Sequence, residues 1–78
     1  MSETTLNILK PGERAIISRI DTQAPTVRQR LLELGMTRGT HIELVRTAPM
    51  GDPLEVAIKG YRLSLRKIEA QAIFVTRT

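Results

Sequence analysis

The sequence predicts a small, mainly β domain: a partly open barrel of five short strands, with one short α-helix after the first strand and a helical turn before the last. Three observations lead there. Most of the chain alternates apolar and polar residues with a period of two. Only Val27, Leu31 and Leu34 repeat at helical spacing, at i, i+4 and i+7. Glycines and prolines punctuate the runs at short intervals. A barrel follows because closing a sheet of short strands removes most of the exposed edge that a flat sheet would leave. Seventy-eight residues suffice for one domain, 1–78, with no internal repeat or linker. A chain of that length buries only about 60–65% of its unfolded surface, so the core is small.

Leu6 to Leu9 is a short apolar lead-in, and Lys10-Pro11-Gly12 is a turn. Glu13 to Ile20 reads as the first strand, with Ile16 and Ile20 on one face and Ala15 and Ile17 on the other. Apolar groups on both faces imply cover on both sides, which the next element should supply. That element is a helix of about ten residues opening at Ala24-Pro25-Thr26. Thr26 and Gln29 stand at capping-box spacing. Arg28, Arg30 and Glu33 fall towards water, and Gly35 sits where a left-handed C-terminal cap is wanted.

His41 to Thr47 and Leu54 to Ile58 are strands, with Ile42, Leu44, Leu54, Val56 and Ile58 facing inward. The loop between them carries Pro49, Gly51, Asp52 and Pro53, which keep it out of the ladder. Gly60 permits a sharp reversal into Tyr61, Leu63 and Leu65. Arg66 to Gln71 makes one helical turn, and Ala72 to Thr76 is the last strand, with Ile73 and Val75 on one side.

Composition narrows the function classes. Without cysteine there is no disulfide framework and no thiolate metal site. The N-terminus, Met1 to Thr5, is polar and leads into no apolar core of a signal peptide, and the apolar runs are too short to span a bilayer. A cytoplasmic protein that is not itself membrane-embedded is the expectation. The net charge of +4 comes from nine arginines and three lysines against eight acids. The basic residues are dispersed among acids, apart from the local group Arg62, Arg66 and Lys67. Tyr61 and Phe74 are the only aromatics, too few for a base-stacking platform. A solvated basic surface, or one that meets an acidic protein, is favoured over a nucleic-acid site.

Four blocks together carry a resemblance: Leu9-Lys-Pro-Gly12; Arg30-Leu-Leu-Glu-Leu-Gly-Met36 with Gly39; Ala48-Pro-Met-Gly-Asp-Pro53; and Gly60-Tyr-Arg-Leu-Ser-Leu-Arg66 with Glu69-Ala70. In this order and spacing, from Leu6 to Val75, the chain resembles the ferrous iron transport protein A (FeoA) family. The resemblance implies an SH3-like barrel of the bacterial cytosol. It would be an accessory protein that binds the cytosolic GTP-binding domain of the ferrous iron transporter and supports or regulates uptake. Alternatives are an SH3-like module related to the C-terminal domain of metal-dependent repressors, or a basic nucleic-acid-binding module. The chain has no helix-turn-helix segment of the kind such a repressor needs.

The residues do not suggest an enzyme. A nucleophile needs a base, and the only histidine, His41, shares a strand face with Glu43 in what reads as an exposed pair. Gly35 and Gly39 lack the Gly-Lys-Ser/Thr ending of a phosphate-binding loop. One histidine cannot build a two-histidine, one-carboxylate iron site. His41 with Glu43, or Asp52 with Glu55, would hold a metal only weakly, so no cofactor is expected beyond weak or indirect Fe2+ association. No catalytic, cofactor or metal residue is assigned. Partner binding is expected at the helix, its exit turn and the proline loop, through Arg28, Arg30, Met36, Arg38 and Met50, where charge lies beside adaptable thioethers.

Overall fold

Alternating strands that bury one face each need neighbours on both sides, and here six of them share a single antiparallel sheet. The structure is a computed structural model describing residues 3–78; Met1 and Ser2 of the polar N-terminus lie outside the described residues. Strand β1 (Glu3–Thr5) runs into a 3-10 turn at Leu6–Ile8, followed by β2 (Arg14–Ile20) and helix α1 (Pro25–Glu33). Strands β3 (His41–Thr47), β4 (Leu54–Ile58) and β5 (Tyr61–Leu65) form a meander, and helix α2 (Lys67–Ala70) leads into β6 (Ile73–Arg77). The order across the sheet is β1-β6-β2-β3-β4-β5.

The predicted mainly β architecture stands, with one strand more than the pattern showed. β1 is polar, Glu-Thr-Thr, and exists because it pairs with β6, Glu3 opposite Thr76 and Thr5 opposite Phe74. The lead-in after it is the 3-10 turn, which drops Leu6 and Leu9 into the core.

Inward residues from each strand after β1 meet Leu31 of α1 in one apolar cluster, where Ile17, Leu44, Val56, Leu65, Ile73 and Val75 are almost fully buried. One facing assignment changes. Ile17 lies opposite Val75, but the next paired residue is Arg19, opposite Phe74, which leaves Ser18 as an extra residue in β2. This β-bulge shifts the phase, so Ile20 pairs with Ile73 and packs against the core on the Ile17 side, not with Ile16. The single Ser18 hydroxyl proton is shared between Glu3 Oε2 at 2.6 Å and the Phe74 carbonyl at 3.0 Å, the shorter contact being to Glu3.

Candidate interaction surface

Helix α1 begins two residues earlier than a capping box at Thr26 would place it. Pro25 occupies the first helical position, where its fixed φ suits the helix and its missing N–H costs nothing. The capping box expected at Thr26 and Gln29 therefore does not form: Ala24 is the N-cap without a side-chain bond, and Gln29 Nε2 donates instead to Glu33 Oε2 at 3.2 Å. The end follows expectation. Gly35 has φ +95°, its N–H donates to the Leu32 carbonyl at 3.0 Å, and the Met36 N–H reaches back to the Leu31 carbonyl at 3.0 Å. This paired pattern is a Schellman motif, in which the residue after the glycine folds back onto the helix.

That geometry corrects one of the five candidate contact residues. Met36 has no exposure and belongs to the core, because the Schellman turn points it inward. It is withdrawn from the contact surface. Arg28 and Arg38 are exposed and make no ion pair among the described residues. Arg28 borders an open depression of about 450 Å³ with Pro25, Gln29, Leu32 and Glu33. Met50 is 92% exposed at the tip of the β3–β4 loop.

Arg30 is half-occupied by an intramolecular partner. Its Nε donates to Glu69 Oε2 at 2.6 Å, and Glu69 is the one buried charged residue described. The other Glu69 oxygen accepts the Arg66 N–H at 2.9 Å, capping α2. Asp52 Oδ1 accepts the next amide, Lys67 N–H, at 3.0 Å. Two carboxylates thus fasten α2 to α1 on one side and to the proline loop on the other. Ile68 is held between those fastenings at 72% exposure. Sequence reasoning named Glu69 and Asp52 without these fastening roles and did not single out Ile68. The acid three residues after Arg66 was the available signal for the first.

The weak metal pairs are otherwise engaged. His41 is exposed, and the Glu43 carboxylate lies 3.4 Å from Arg14 Nε. Glu55 accepts from Arg46 Nε at 2.7 Å and lies 3.8 Å from Arg62. Two other acids have their pKa held below the ordinary 4.5. Glu3 is lowered chiefly by the Ser18 hydroxyl and then by Arg19. Glu13 is lowered by the Lys10 backbone N–H at 2.6 Å and also by Arg77. Among the described residues no three histidines or acids gather as a metal-binding group, and no helix is long and apolar enough to cross a membrane.

A sequence model of the FeoA domain matches residues 4–77. The chain belongs to the FeoA family. A curated FeoA relative, the Fe(2+) transport protein A/Fe(2+) transporter FeoB fusion protein of Porphyromonas gingivalis, is 37% identical over 70 residues. The match takes in 90% of this chain and only 8% of the length of the fusion protein. The solution structure of a FeoA-like protein from Clostridium acetobutylicum superposes with a TM-score of 0.89 at 35% identity, over 99% of this chain and 88% of that one. The zinc complex of Stenotrophomonas maltophilia FeoA, described as a prokaryotic SH3 domain protein, gives 0.83 at 29% identity, over 94% and 89% of the two chains. The fold is SH3-like. A manganese-dependent transcriptional repressor contains the same fold, with a TM-score of 0.92 over 100% of this chain and 42% of its own. At 19% identity that likeness is one of fold alone.

Proposed function

We propose that this protein is a cytoplasmic, non-enzymatic accessory component of ferrous iron uptake. It binds the cytosolic GTP-binding domain of the ferrous iron transporter and supports or regulates it. The observation that carries this reading is the fusion of a FeoA relative to FeoB in a single polypeptide. Domains joined in one chain act at high effective concentration, and their separate counterparts are natural partners. The surface agrees with a protein partner. Half of the twelve basic residues, Arg14, Arg19, Arg30, Arg46, Arg62 and Arg77, face carboxylates, which leaves a dispersed rather than continuous positive surface. Iron passes through the partner in this reading, with at most weak or indirect association here.

Calorimetric titration into the purified cytosolic GTP-binding portion, with and without nucleotide, tests it. Saturable binding is expected, and a nucleotide-dependent affinity would point to regulation of the switch. Absence of binding in every nucleotide state would sink the proposal. Duplex DNA serves as the control: a nucleic-acid module would show affinity falling with salt at a log–log slope of about −0.9 per neutralised phosphate.

A further inference from the structure

The sheet leaves β5 at an edge, and its hairpin fixes which backbone groups are free. Lys59 and Gly60 form a two-residue loop, both with positive φ, 51° and 83°, so Ile58 and Tyr61 are the pair that exchanges both ladder bonds. Antiparallel pairing then alternates. Leu63 opposite Val56 and Leu65 opposite Leu54 also bond inward to β4, while Arg62 and Ser64 turn their N–H and C=O outward. No turn, loop or cap among the described residues supplies a backbone partner to either outward N–H. The β4–β5 register runs unbroken over five pairs, with no bulge and no proline to blunt the edge. Such an edge is a template for another strand.

Charge selects the strand. Arg62 shares its nearest acid, Glu55, with Arg46, which holds it closer, 2.7 Å against 3.8 Å. Arg66 and Lys67 continue from the end of β5, are exposed, and have no carboxylate side chain in salt-bridge range among the described residues. A second copy pairing through its own β5 would set those cations against another strand of the same charge, which is unfavourable across a pair. We infer that the β5 edge is a docking site for an extended acidic segment of a protein partner, which adds as a further strand beside Arg62 and Ser64 and neutralises Arg62, Arg66 and Lys67. Main-chain bonds would supply affinity and the alternate acidic side chains specificity.

The probe is a blocked octapeptide of alternating glutamate and valine, titrated into isotope-labelled protein and followed by amide resonances. The result is therefore separate from whether the transporter domain binds. Saturable shifts centred on Arg62 and Ser64 are expected, with hydrogen exchange at those amides slowed at least tenfold. Ser64→Pro removes one outward N–H at a position where an edge strand tolerates proline, and should weaken binding at least tenfold. Arg62→Glu should do the same and provides the test if the proline variant fails to fold. Lys10→Ala, at an exposed turn outside both surfaces, should bind as the parent does. No shift at the β5 amides, equal binding of a lysine–valine octapeptide, or undiminished binding by a folded Ser64→Pro would overturn the assignment.

Discussion

The two edges of the sheet are built differently. β1 ends after three residues in a 3-10 turn, and its first residue is tied across β6 to β2. Glu3 accepts from Ser18 and from Arg19, and the Arg19 guanidinium also holds Asp21 and lies 4.0 Å over the Phe74 ring. β5 runs five residues, turns Leu63 and Leu65 inward, and leaves the outward N–H and C=O of Arg62 and Ser64 without a backbone partner among the described residues. Both strands complete the same sheet, yet one edge is short and tied inward by a side chain, and the other runs five residues in unbroken register. β5 is held by its ladder to β4, by Leu63 and Leu65 packing inward and by the Tyr61 hydroxyl on the Leu34 carbonyl, and none of these uses the outward N–H and C=O of Arg62 and Ser64.

The largest disturbance to that contrast should come from Leu65, fully buried at the end of β5. Leu65→Ala is expected to cost about 2–4 kcal/mol in urea unfolding, and Leu63→Ala, at a half-buried position, clearly less. Equal costs would mean that the core is not what holds this edge. Glu69→Ala should follow at ~2 kcal/mol, since it leaves the Arg66 N–H uncapped and Arg30 without its partner. Glu69→Gln should recover part of that loss.

Lys59→Gly acts in the opposite direction. Lys59 holds φ 51°, which suits glycine better than lysine, so the variant should be more stable by about 0.5 kcal/mol in the same assay. A destabilised variant would show that the Lys59 side chain contributes more than its backbone strain costs.

The smallest effect belongs to the β1 edge and depends on pH. The folded-state pKa of Glu3 is depressed, so its contribution to stability is present above the unfolded value of 4.5 and is lost as pH falls through the lower folded value. Glu13 behaves likewise. Thermal melts should therefore decline below pH 4.5, and Glu3→Gln or Glu13→Gln should each flatten part of that decline. An unchanged acid slope in both variants would remove these carboxylates from the account.

The meander was legible because β3, β4 and β5 pair with sequence neighbours and bury one face; the register shift between Leu44 and Arg46 falls after inward Ile42 and Leu44, so their assignment stands. β1 was not, since its three polar residues acquire strand character only from β6 at the other end of the chain. The Ser18 bulge carries no composition signal, and alternation counted across it assigns Ile20 to the wrong side. Of the expected contact residues, Arg28, Arg38 and Met50 are indeed exposed. Met36 was misread because the charge of its neighbours says nothing about a side chain that a Schellman turn folds inward. Arg30 looked free because its acid lies 39 residues away in sequence.

The spare residue in β2 also sets how the strand tolerates changes of length. Deleting Ser18 alone would restore an even ladder and keep Ala15, Ile17 and Ile20 facing the core, whereas removing a neighbour such as Ile16 would reverse every side chain on one side of the gap. The shortened strand would lose the hydroxyl that joins Glu3 to the Phe74 carbonyl. A one-residue deletion there would thus leave the core in phase and loosen only the β1 edge.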